Sequence, residues 1–199
     1  MPLWGTDATA SGQANKPKWL STSEDQIYNK MDTYATNEGW AINPKASKNA
    51  NAKPEILCAI GNLAGVSATT GLKHPTITSV RWVTTATAAG TRTITAEVTF
   101  DEQVTVTAPD ASNTPQIVCT VGSAFPATTL AYASGTGTNR LRFSKASVAV
   151  NTGGTCSIGG GSGNPITYLG TGAIVDKLDG SSAAAVATTG ATIATYTGT

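Results

Sequence analysis

Few residues of this chain could do chemistry, and they are scattered. His74 is the single histidine, so a Ser-His-Asp or Cys-His relay would have to run through it. It precedes Pro75 at a point where the sequence pattern changes, the setting of an exposed loop histidine. The three cysteines, Cys58, Cys119 and Cys156, lie far apart and form no CxxC pair, whereas zinc needs clustered Cys and His ligands. Their odd number leaves at least one thiol over. All three are expected to be reduced and buried as small hydrophobes. A Cys119–Cys156 bridge stays open if their strands face each other. The run Gly159-Gly160-Gly161-Ser162-Gly163 lacks the Lys-Ser/Thr and the following helix of a phosphate loop, and reads as a flexible hairpin or loop. Asp101-Glu102, Asp176 and Asp179 fall at expected strand ends. Oxygen ligands from such loops can hold calcium, but no DxDxDG-type loop exists, so they are expected to be solvated turn residues. No catalytic residue, cofactor or metal is expected.

The tryptophans are the exception to this bland reading. Trp82 belongs to an alternating segment and is expected in the core. Trp4 and Trp19, with Leu3 and Leu20 beside them, lie where no local pattern would bury them. Such aromatics find a pocket either on their own chain or on a neighbour. The neighbour is favoured here, which makes Leu3, Trp4, Trp19 and Leu20 the candidate partner-binding residues.

Composition limits the classes further. Hydrophobic residues make up 40% of the 199, enough for a packed core, while charged residues are only 13%, about half the usual share. The net charge is +1 and no Lys/Arg run occurs, so the electrostatic footprint of a nucleic-acid binder is missing. Lys45, Lys48 and Lys53 read as residues that keep a loop soluble. No apolar run approaches the ~20 residues of a membrane span. The opening MPLWGTDATA lacks the basic stretch and apolar core of a signal peptide, so the chain is expected to be made and used without secretion.

Positioning falls to strands. Residues 1–22 read as an extended N-terminal arm and 23–76 as a small mixed α/β or irregular region. Residues 77–182 read as an antiparallel β-sandwich, and 183–199 as an Ala/Thr/Gly-rich strand or arm. Ser23-Glu24-Asp25-Gln26 fits a helix-capping box, and Ile27, Met31 and Tyr34 follow at helical spacing. A short helix over 23–36 is therefore predicted. Ile56, Cys58 and Ile60 alternate as in a strand. Past residue 77 the pattern sharpens: Ile94, Ala96, Val98 and Phe100 should face a core while Thr93, Thr95, Glu97 and Thr99 face water. Val104 and Val106, Ile117 to Val121, Leu130 and Tyr132, Leu141 and Phe143, Val148 and Val150, and Cys156 and Ile158 continue the series between turn signals. Short strands at that spacing are the signature of a sandwich.

Two stretches carry a family likeness. TITAEVTFDEQVTV (93–106), AYASGTGTNRLRF (131–143) and the closing Ile174, Asp176 and Gly180 resemble, in order, the strands of bacterial Ig-like and cadherin-like repeats. The resemblance implies an Ig-like β-sandwich. The usual polar loop and acidic end are altered, so no metal ligands carry over. MPLWGTDATASGQANKPKWL is similar to openings of virion structural proteins from tailed phages, cyanophages above all. Together the two resemblances imply a structural protein on a virion, made in the host cytoplasm and most readily a decoration protein on the capsid surface. Its arm would bind the major capsid protein or another virion protein. A neck or tail connector, a tail-tube protein, and a host-surface carbohydrate-binding module are the alternatives. A homo-oligomer, dimer or trimer, is expected in such an assembly.

Overall fold

The fold, obtained as a computed structural model, is described for residues 16–17, 19–23, 25–43, 51–64, 72, 74–83, 86–87, 89–107, 110–122, 125–158, 165–183 and 195–198. Within them the chain is mainly β and contains no helix. Leu3, Trp4, the glycine run at 159–163, Lys45 and Lys48 lie outside the described residues. The strands are β1 (Thr33–Thr36), β2 (Gly39–Ile42), β3 (Glu55–Ala59), β4 (Ile77–Trp82), β5 (Ala86–Thr87), β6 (Gly90–Thr107) and β7 (Pro115–Val121). They continue with β8 (Thr129–Ser134), β9 (Thr138–Val150), β10 (Thr155–Ile158), β11 (Ile166–Tyr168), β12 (Ala173–Asp176) and β13 (Thr195–Gly198).

These strands join in one sheet ordered β3-β2-β1-β6-β9-β8-β7-β10-β13-β5, with β4 and β12 also on β6 and β11 on β7. The sheet is mixed, not purely antiparallel as expected. β1 runs parallel to β6, and β13 parallel to β5. Each parallel pair joins strands distant in sequence, and long connections of that kind permit parallel pairing where a tight hairpin does not.

The long strand β6 organises the rest. Ile94, Ala96, Val98, Phe100 and Val104 are buried, as their period-two spacing requires. They pack with Leu141, Phe143, Val148 and Val150 of β9, Ile117 of β7, Leu130 of β8 and Ile174 of β12 in one large core. Each such side chain contributes about 1.5–3 kcal/mol by leaving water, so this cluster dominates the stability. Trp82 is buried here as well. A second, smaller core lies wholly before residue 77 and holds Ala35, Trp40, Leu63, Ala64 and Leu72.

Glycine is required where backbones touch. Gly39 turns the β1–β2 hairpin at φ +134°, and a Cβ there would strike the Cys58 carbonyl of β3. Gly135, at φ +109°, faces the Arg140 carbonyl in the same way in the β8–β9 turn. Neither position tolerates an L side chain without strain.

Two expectations are corrected, and a third, the arm, falls mostly outside the described residues. The helix over 23–36 does not form: residues 25–32 are turns and β1 begins at Thr33. Asn29 is the reason. Its side-chain amide donates to the Gln26 carbonyl at 2.8 Å and to Asp32 Oδ2 at 2.7 Å, and its Oδ1 accepts the Asp32 amide at 3.0 Å. Local bonds of that kind give the backbone an alternative to the helix, and so short a helix is marginal alone. The arm expected over 1–22 is packed down at its end, since Lys16, Pro17 and Leu20 are buried. Asp101 and Glu102 are not turn residues at all. They lie mid-strand in β6, buried.

Candidate functional site

Three features past simple packing stand out, and the first is an exposed aromatic face. A turn at 17–20, closed by the Leu20 amide on the Pro17 carbonyl at 3.3 Å, presents Trp19 to solvent at 52% exposure. Its ring meets Tyr28 at a centroid distance of 6.0 Å and a tilt of 52°. Tyr28 is 41% exposed, and its hydroxyl donates to Glu55 Oε2 of β3 at 3.1 Å. That bond, with the Glu55 charge, raises the phenol above its ordinary pKa. Ile27 beside Tyr28 and Ile56 beside Glu55 are exposed too. β3 ends the strand order, and sheet edges of this kind are ready templates for another chain. Of the candidate contact residues, Trp19 therefore faces solvent, whereas Leu20 is buried within its own chain and drops out of a free surface. Ile27 and Tyr28 were hidden from sequence reasoning by the helix assignment. Their signal was an apolar pair set between Asp25-Gln26 and Asn29.

The second feature locks that face to the sheet. Glu97 on β6 is 1% exposed, although its strand pattern places it opposite the core. Register explains this: Arg81 of β4 and Arg142 of β9 stand directly across from it on either side. Arg81 Nη2 reaches Oε1 at 2.8 Å, Arg142 Nε reaches Oε2 at 3.1 Å, and Arg140 Nη1 reaches Oε1 at 3.1 Å. Burial opposes the Glu97 charge, but the three guanidiniums outweigh it and hold the carboxyl below its ordinary value. Arg140 also pairs with Asp32 at 2.7 Å and donates to the Met31 carbonyl at 3.3 Å, which Asn139 reaches at 3.0 Å. The segment carrying Tyr28 is thus clamped onto β9 by charge.

The third is an acidic cleft of about 200 Å³ between β1 and the turn after β12. Glu102 lines it at 2% exposure, and its Oε1 has no hydrogen-bond partner among the described residues. Burial, and then the charges of Asp101, Asp176 and Asp179, push Glu102 up to about 9. Asp101 accepts the Thr76 amide at 2.6 Å and the Thr76 hydroxyl at 2.5 Å. Burial raises its pKa against those bonds and lowers that of Lys16, its buried cationic neighbour. Lys16 Nζ donates to the Lys30 carbonyl at 2.6 Å. Burial also raises Asp176, while the Ser181 amide holds Asp179 down. Among the described residues, no group of three or more His, Cys, Asp or Glu is arranged to hold a metal ion.

His74 is half-buried, with Nδ1 at 3.2 Å from the Ser181 hydroxyl. A hydrolytic relay needs a carboxylate on the second ring nitrogen. Asp179, two residues before Ser181, spends Oδ1 on the Ser181 amide at 2.7 Å. Cys58, Cys119 and Cys156 are free thiols. β10 pairs with β7, bringing Cys119 and Cys156 into hydrogen-bond contact without a bridge.

No protein family, curated protein or solved structure matches this chain.

Proposed function

We propose that this chain is a non-catalytic structural protein of a tailed-phage virion, a decoration protein that coats the capsid by docking on the major capsid protein through its Trp19 face. The strands from β4 onward would form an Ig-like sandwich that projects as a rigid spacer, with the N-terminal segment gripping the lattice. The observation that carries the reading is the exposed Trp19–Tyr28 pair beside a sheet edge, on a chain with 13% charged residues. Aromatic anchors of this kind dominate interface energies. Many weak copies on a lattice then bind collectively. The supporting resemblances are the opening segment and the strand motifs set out above.

A carbohydrate-binding module is the second reading, because it calls for solvent-facing aromatics and Trp19 and Tyr28 are such. The 52° tilt between their rings makes a wedge and not a flat stacking platform, which suits insertion into a protein pocket better.

Deleting residues 1–20 would remove buried Lys16 and Leu20, so substitution is the cleaner test. Trp19→Ser with Tyr28→Ser is expected to weaken co-sedimentation with empty heads of the encoding phage by at least about 30-fold, the effect of one interface hot spot. The thermal midpoint should fall little, since both rings are about half-exposed and lie outside the two cores. Undiminished head binding contradicts the proposal. Glycan binding lost in the same variant, with head binding intact, favours the second reading.

A further inference from the structure

We propose that the cleft over Glu102 is a socket for a cation on an aliphatic stem, namely an arginine or lysine side chain of a partner protein. The cleft is lined by Glu102, a buried side chain whose Oε1 has no hydrogen-bond partner among the described residues, which is costly unless something completes it. Ala35, Ala64 and Leu178 supply apolar walls for a stem, and Thr36 and Asn37 supply polar groups at the rim. The resident Lys177 does not fill the role. Its ammonium donates to Gln103 Oε1 and to the Gly137 carbonyl, both at 3.0 Å.

A bare metal ion fits less well. Calcium takes six to eight oxygens, and the neighbouring carboxylates are engaged. Asp101 holds Thr76 with both oxygens, Asp176 Oδ1 accepts the Leu178 amide at 2.7 Å, and Asp179 holds the Ser181 amide. A partly apolar cleft lined by one buried glutamate suits one elongated cation. Arginine and lysine have this form, a hydrocarbon stem with a charged head.

The groups around Glu102 set the pH dependence. Asp101 lies beside it on β6, and Asp176, Lys177 and Asp179 approach from β12 and its turn. His74 acts on Asp176 and Asp179, and Lys16 on Asp101. β1 contributes Ala35 and Thr36, neither titratable. With Glu102 protonated up to about 9, an entering guanidinium must displace that proton, which leaves to solvent. Affinity should therefore rise about tenfold per pH unit from 7 to 9 and then level. The same raised pKa makes the empty protein less stable as pH climbs from the ordinary glutamate range to about 9, because the folded state holds a proton that the unfolded chain has released.

The test is a nuclear magnetic resonance titration of the full chain with N-acetylarginine methylamide, its neutral citrulline isostere, and calcium chloride. Saturable shifts are expected at the Ala35, Ala64 and Leu178 amides with the arginine probe alone. They should strengthen with pH and vanish in Glu102→Gln. That variant should also unfold at higher urea than the parent at pH 8, with the gap closing by pH 4.5. If it fails to fold, the pH dependence in the parent protein decides. Equal binding of the citrulline probe, the same shifts with calcium, pH-independent binding, or binding unchanged in Glu102→Gln overturns the proposal. Head binding through Trp19 and Tyr28 uses residues that do not line this cleft, so the two proposals fail separately.

Discussion

Glu97→Ala is expected to lower the unfolding free energy by about 3 kcal/mol, because it removes the buried anion that Arg81, Arg140 and Arg142 share. The size follows from what is left behind. Arg142 is half-exposed and Arg81 about a third exposed, so both can turn to water at small cost. Arg140 cannot, being 18% exposed and pinned to Asp32 and Met31, and it loses a carboxylate partner while staying buried. Arg142→Ala, at the exposed corner, should cost less than about 1 kcal/mol, as surface ion pairs do. The acid limb gives a second readout. Glu97 is held below its ordinary pKa, so its contribution is complete above the usual glutamate range and is lost as pH falls through the lowered value. Urea melts between pH 7 and 3 should show the parent losing its advantage over Glu97→Ala. A variant as stable as the parent at pH 7 would show the network to be ornamental.

Trp40→Ala should be the most damaging change in the N-terminal part, at about 3–5 kcal/mol for a fully buried tryptophan. Its core is small, and Ala35, Ala64, Leu63, Leu72 and the partly buried Cys58 and Ile60 around it are too few to close the gap. The loss should be local. Hydrogen exchange should accelerate in β1, β2 and β3, while amides of β6 and β9 over the large core hold. Because β3 carries Glu55, the anchor of Tyr28, head binding should fall with it. Trp40→Phe should cost distinctly less than cavity formation alone implies. Trp40 Nε1 is buried with no hydrogen-bond partner among the described residues, and phenylalanine removes that orphan donor. Uniform acceleration across both cores would mean that the chain unfolds as one unit from this site.

These results bear on how the sequence encodes the fold. The alternation from Ile94 to Phe100 was readable because it records a local fact, one face buried along one strand. Carried two steps further, the same period places Glu102 between Phe100 and Val104 on the core side, and all three are buried. The signal was present. It was masked by the habit of ending a strand at consecutive acids, a habit that the Thr76 bonds to Asp101 defeat. Glu97 was not legible in this way. Its burial depends on Arg81, Arg140 and Arg142 arriving from other strands, which no window around residue 97 contains. The false helix over 23–36 has the opposite cause. Its spacing and cap were genuine local signals, and Asn29 and Asp32 redirected the backbone with equally local bonds. Lys16 reads as arm because its anionic neighbour Asp101 lies far along the chain.

The account turns on where the Trp19 face points. Electron microscopy of the intact virion, with the chain fitted to density, measures that directly. Hundreds of copies on the head, each with Trp19 and Tyr28 turned into the capsid lattice, is the predicted result. Six or twelve copies in a ring at the neck or tail, or Trp19 and Tyr28 facing outward to solvent, would contradict it.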